Sequence, residues 1–254
     1  MKQKLIIFVL FFLSAGSVFA QTTVTSNPAG LTAPARSPLR AVTSTQYTGY
    51  TELFAEWRSL LVNTPARFTA HLTQVGDLFK AYTDAEVTVT LIMDGKTSWQ
   101  QTVKQPAAPG TYRFPIKAET AGTGKVIIDL KMPAYTEQFV VDNVTVYVDE
   151  AAALAVQAKL PAPETEGTIP YSKEKSWIEA FATSTVISVK NIILVPNTAV
   201  LTEGTTSYVI FQNDPEHFRK QVVEAGKPAG NYVEIKSGLK TGDRIVTLGA
   251  EKIK

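Results

Sequence analysis

The chain has 254 residues, 44% of them hydrophobic, a formal charge of +2 and no cysteine. Without cysteine there is no disulfide framework, no thiolate zinc site and no cysteine nucleophile. The whole formal charge resides on Lys2 and Lys4, and the remaining Lys and Arg are scattered singly. No basic stripe therefore exists to neutralise a run of nucleic-acid phosphates or an anionic membrane.

Residues 1–20 read as a signal peptide: Lys2 and Lys4 form a positive start, Leu5 to Leu13 an apolar stretch, and Ser17-Val18-Phe19-Ala20 a small-residue cleavage site. The apolar run is shorter than the roughly 20 residues that span a bilayer, and no later run is longer. Cleavage after Ala20 is predicted, with export through the secretory route and no membrane span in the mature chain. Residues 21–49 are rich in Thr, Ser, Pro, Ala and Gly and lack a periodic apolar pattern, which predicts a flexible leader.

Residues 50–149 change to a period of two, the mark of half-buried strands. Phe68, Ala70 and Leu72 alternate with Arg67, Thr69, His71 and Thr73; Val87, Val89, Leu91 and Met93 share a face, as do Tyr112, Phe114 and Ile116. Val126, Ile128, Leu130 and Met132 repeat the pattern, then Val144, Val146 and Val148. With Glu52 to Trp57 and Trp99 to Val103, seven strands are predicted, separated by turn signals at Asp94-Gly95, Pro109-Gly110 and Ala121-Gly122-Thr123-Gly124. Seven short strands in about 100 residues predict an immunoglobulin-like β-sandwich.

Residues 150–171 pass from alanines to Pro161-Ala162-Pro163-Glu164-Thr165-Glu166-Gly167, with room for a short helical turn around 151–158. This composition predicts a mobile tether between two independently folded β units. Residues 172–254 then hold strand-like runs at 185–194, 199–201, 208–212, 218–223, 232–235 and 244–248. The last two are expected to close the chain as a hairpin from Glu234 to Val246 around Ser237-Gly238 and Thr241-Gly242-Asp243. The fold class is all-β.

Chemistry-bearing residues are sparse. His71 is a weak metal candidate, because its strand places it on the polar face beside Thr69 and Thr73. No second histidine lies near, His217 belonging to the other unit, so a sheet-surface histidine hydrogen-bonded to neighbours is expected. Met93 and Met132 fall on the apolar face and read as core. Trp57 and Trp99 read as core or sheet surface, and Trp177 as a residue docking the linker onto a domain. There is no strained nucleophile turn, phosphate loop or Cys/His cluster, so no enzyme, cofactor or catalytic residue is predicted.

Three stretches together resemble the periplasmic adaptors, or membrane fusion proteins, of heavy-metal resistance-nodulation-division (RND) efflux systems of the copper/silver and cobalt/zinc/cadmium types. Glu52-Leu53-Phe54-Ala55-Glu56-Trp57 with Arg67 to Thr73 and Glu86 to Val89 is similar to an amino-terminal β domain of these adaptors. Tyr171 to Trp177, running to Thr183, is similar to the segment after it. Val195 to Leu201, Tyr208-Val209 and Val233 to Ala250 resemble the carboxy-terminal membrane-proximal domain. Only about 17 residues separate Trp177 from Val195, where the family carries its lipoyl, helical-hairpin and β-barrel regions. The resemblance implies a non-catalytic adaptor-like protein with the inner-membrane pump as partner, and an intact adaptor or the outer-membrane channel as further candidates. It also implies that residues 172–254 carry the pump contact, for which Lys236, Lys240, Asp243 and Arg244 form a candidate docking group. A free-standing metal- or ligand-delivery module and a non-functional truncated adaptor are the alternatives.

Overall fold

Residue Leu60 lies on one sheet's edge while Trp57, three residues earlier, lies in another, and this crossing organises the first half of the molecule. The structure, a computed structural model, describes residues 39–76 and 79–253. The signal peptide and residues 21–38 of the leader lie outside the described residues. The first ten strands are β1 (Ala41–Tyr47), β2 (Thr51–Arg58), β3 (Leu60–Leu61), β4 (Ala66–Gln74), β5 (Lys80–Ala81), β6 (Glu86–Met93), β7 (Lys96–Val103), β8 (Thr111–Ile116), β9 (Gly122–Lys131) and β10 (Thr136–Tyr147). One sheet runs β1-β2-β4, with β5 and β8 both on the far side of β4; the other runs β3-β10-β9-β6-β7. Strand β3 continues β2 but pairs parallel to β10, so one run of chain belongs to both sheets. This is the pairing of an immunoglobulin-like sandwich.

The inner faces supply a shared core in which Leu53, Phe68, Leu72, Leu91, Tyr112, Ile128 and Leu130 are fully buried. Each large side chain so buried stabilises by about 1.5–3 kcal/mol. Trp57 stacks on Phe68 at 5.3 Å, and Phe68 meets Phe114 edge-on at 6.5 Å.

Three features differ from expectation. The leader was expected to run through residue 49, yet Ala41–Tyr47 is a strand, paired residue for residue with β2. An edge strand is held by ladder hydrogen bonds and requires little apolar periodicity of its own. Strand β10 begins at Thr136, earlier than Val144. A register shift between Val141 and Val144, with Asn143 at φ 58°, inserts a bulge that moves the buried positions from Phe139 and Val141 to Val144 and Val146. The glycines at 122 and 124 do not form a turn but open β9, where Gly124 lets the backbone approach: a Cβ there would meet the Ile92 carbonyl oxygen at 2.1 Å.

Helix α1 (Glu150–Gln157) is capped by Asp149, which accepts from the Ala152 amide at 2.8 Å. Its Gln157 donates to Ser59 Oγ at 2.9 Å and accepts from the Arg40 amide at 3.0 Å, fastening the helix to the sandwich. There follow β11 (Ile169–Pro170), α2 (Lys173–Ile178), β12 (Ala182–Thr185), β13 (Ile187–Val189), β14 (Ile192–Pro196), β15 (Leu201–Glu203), β16 (Thr206–Asp214), β17 (His217–Val222), β18 (Glu224–Ala229), β19 (Tyr232–Ser237) and β20 (Arg244–Leu248). They form a sheet β11-β17-β16-β20-β12, with β15 on β16, and a second sheet β13-β14-β19-β18. The expected closing hairpin is therefore absent: β19 pairs with β14 and β18, and β20 with β12 and β16. Among the described residues no helix is long and apolar enough to cross a membrane.

The mobile tether is also corrected. Residues 39–253 belong to one compact unit. Phe79, from the segment between β4 and β5, is buried among Tyr171, Phe181, Ile210 and Phe218, so the sandwich contributes a ring to the core of the carboxy-terminal sheets. Phe79 and Phe181 meet edge-on at 6.2 Å.

Candidate functional site

The register of β2 against β4 opposes Glu52 to Thr73, Phe54 to His71 and Glu56 to Thr69. These pairs lie on the face turned away from the sandwich core. The sequence pattern makes this face polar and solvent-exposed. In the structure Glu52, Phe54, Thr69, His71 and Thr73 are buried, because α2 and its neighbours lie over them.

Helix α2 begins with Ser172, whose hydroxyl accepts from the Lys175 amide at 3.4 Å, and Glu216 accepts from the Lys173 amide at 2.8 Å. This fixes the first turn so that Lys173 points into the covered face. Its ammonium pairs with Glu52, the two side chains being 1% and 0% exposed. The ammonium also lies 5.1 Å from the centre of the Phe79 ring and 5.8 Å from that of Trp177. Trp177 donates from Nε1 to Thr73 Oγ1 at 3.0 Å, and Thr73 donates to Glu52 Oε1 at 3.1 Å. The indole rests on Gly110, where a Cβ would stand 2.4 Å from the ring. Helix α2 and strands β4 and β2 are thus joined by one chain of hydrogen bonds ending on a buried ion pair. Burying both charges carries a desolvation cost that close pairing and hydrogen bonding must offset.

His71 lies between Phe54 and Trp177, with ring centres 5.7 and 6.2 Å away. It is 5% exposed, and neither ring nitrogen has a hydrogen-bond partner among the described residues. The expected surface histidine bonded to its neighbours is corrected accordingly. The nearest opposite charge is Glu56, with Oε1 3.7 Å from Nε2. The imidazole beside it holds the Glu56 carboxyl below the usual carboxylate range. Glu216 is pushed the other way, chiefly by burial and in part by the charges of Glu56 and Glu174, against the bond from the Lys173 amide and the attraction of His71. Burial, with the charge of Glu52, raises the Tyr47 hydroxyl far above its ordinary value.

The four candidate docking residues have different partners. Lys236 pairs with Glu224 at 3.5 Å. Asp243 accepts from the Lys240 amide at 2.9 Å and so shapes the turn before β20. Arg244 stacks on Tyr47, its guanidinium carbon 3.9 Å from the ring centre, and donates to Gln212, Thr185 and Thr183. It thereby ties the carboxy-terminal sheets to β1.

For metals, His217 stands 3.0 Å from both carboxylate oxygens of Asp214, far from His71 in sequence. Among the described residues no group of three or more His, Cys, Asp or Glu side chains is placed to hold a metal ion. Met93 is buried in the sandwich core and Met132 packs against it.

The carboxy-terminal sheets form a small all-β module. Residues 193–254, from β14 to the end of the chain, match the family model of the CzcB C-terminal circularly permuted SH3-like domain. No curated protein and no solved structure matches the chain. The matched stretch contains Lys236, Lys240, Asp243 and Arg244 but not Lys173 or Trp177.

Proposed function

We propose that the chain is an adaptor-like component of an RND-type heavy-metal cation efflux system in the periplasm, acting without catalysis by contact with the inner-membrane pump. The match of residues 193–254 to the CzcB carboxy-terminal domain carries this reading. The buried junction around Lys173 supports it further, since a contact domain held in fixed orientation on a second domain transmits position as well as affinity. On this reading the chain is a short form: only the end of α2, β12, β13 and the start of β14 lie between Trp177 and Val195, where the resembling adaptors carry their central regions. Lys236 and Lys240, on exposed turns and strand ends, are the docking residues of the original group that fit this role.

The test is co-purification of the tagged chain with the pump from its own cell. Recovery of the pump, lost when residues 193–254 are replaced by an unrelated domain, supports the assignment. Failure to recover it after crosslinking contradicts it.

A further inference from the structure

The covered face of β2 and β4 holds a titratable group that the hydrogen bonds of the junction leave unused. His71 is 5% exposed, and neither ring nitrogen has a hydrogen-bond partner among the described residues. Thr111, opposite it on β8, keeps its hydroxyl oxygen buried and unpartnered as well. A neutral imidazole placed here gives up its hydrogen bonds to water and gains none from the protein, which is a costly way to bury it.

The charged form meets partners on both sides of the junction. Within its own sheet, Glu56 Oε1 stands 3.7 Å from Nε2, too far for a hydrogen bond and near enough that a small movement of the half-exposed Glu56 makes a charge-assisted one. From the carboxy-terminal module, Trp177 and the turn between β16 and β17 face it. The rings of Phe54 and Trp177 lie on either side of the imidazole, both tilted by 34°, and a positive charge between two aromatic rings is attracted by both. The Glu216 carboxylate, whose ionised form burial disfavours, is attracted by a positive His71. The other charges around the site leave this balance in place: Lys173 of α2 is paired with Glu52 of β2, Glu174 of α2 adds negative charge, and Arg67 of β4 and Arg113 of β8 are exposed to solvent, which screens them.

We propose that His71 is a proton-operated latch: on taking up one proton from solvent it hydrogen-bonds to Glu56 and draws Trp177 and the Glu216 turn onto the sheet, tightening the junction between sandwich and carboxy-terminal module, and on losing it the junction loosens. Imidazoles change charge between about pH 5 and 8, so the latch works in that range. The tighter state belongs to the acid side of it, because the groups that answer a positive charge on His71 are carboxylates and aromatic rings. The device is a property of the junction alone and does not depend on the pump contact proposed above.

The experiment is NMR of the purified chain between pH 5 and 8, following the histidine ring signals and the solvent exchange of the Trp177 indole N–H, which is held by Thr73 only while the junction is closed. His217→Gln and Trp177→Phe assign the signals. The His71 ring is expected to titrate within this range, and indole exchange, corrected for its intrinsic pH dependence, to be about threefold or more slower at pH 5.5 than at pH 8. The change should shrink in Glu56→Gln, which keeps the shape of the side chain and loses its charge, vanish in His71→Gln, and persist in His217→Gln. A His71 ring that stays in one protonation state from pH 5 to 8 in the wild-type chain would overturn the proposal, as would indole exchange that does not follow its titration or a response that Glu56→Gln leaves at full size. Co-purification with the pump measures the adaptor reading separately, and either can fail without the other.

Discussion

Lys173 brings a full positive charge to a position 1% exposed, and among the described residues its ionic partner is the equally buried Glu52. Removing one partner leaves the other charged and dry, so Lys173→Ala should cost about 3–5 kcal/mol in urea denaturation. Lys173→Met combined with Glu52→Gln should recover most of that loss, because the amide oxygen still accepts from Thr73. A double variant as unstable as the single one would show that packing, not charge, sets the cost. Glu216 gives a pH signature of known sign. Its folded-state carboxyl is raised above the ordinary value by burial, so its contribution is fully present below that ordinary value, about 4.3, and is lost as pH rises through the raised one. Glu216→Gln should therefore flatten the fall in thermal stability on the alkaline side of pH 4.3, while keeping an acceptor for the Lys173 amide. None of this was legible in the sequence. Lys173 stands among Ser, Lys and Glu and looks solvated, and the burial of His71 comes from a segment about 100 residues away. The docking role of Trp177 was readable, since an indole beside a Pro- and Glu-containing stretch seeks cover.

At the level of elements, alternation revealed the strands because one face of each contacts the sandwich core. It failed where pairing or pleat, not burial, decides. Strand β1 is an edge whose seven residues are exposed or half-exposed, and β10 shifts phase at a bulge, so neither shows a continuous period of two. The two-sheet arrangement of β19 and β20 was hidden for a related reason: glycine turns mark a reversal without saying which strand receives the chain. Gly110 tests the contact between elements. Its φ is 73° and Trp177 lies directly on it, so Gly110→Ala is strained in backbone and crowded in space. A loss of about 1–3 kcal/mol is expected, with a red shift of tryptophan emission as the indole is lifted into water. An unshifted spectrum would mean that the ring is accommodated elsewhere.

For the whole molecule, composition pointed to two β units and a loose connector, and the structure joins them through several contacts among the described residues. Phe79 enters the carboxy-terminal core, Lys173 and Trp177 enter the face of β2 and β4, and Arg244 covers Tyr47. The connector's composition is that of a tether, but composition records what a segment buries of itself and not what its two neighbours bury in each other. A carboxy-terminal module held this way sits at a set angle to the sandwich. The most direct test is differential scanning calorimetry of the chain beside Lys173→Ala. A single transition, with calorimetric and van't Hoff enthalpies in agreement and shifted as a whole to lower temperature in the variant, is the result this account predicts. Two separable transitions in the wild-type chain, with Lys173→Ala leaving both in place, would contradict it.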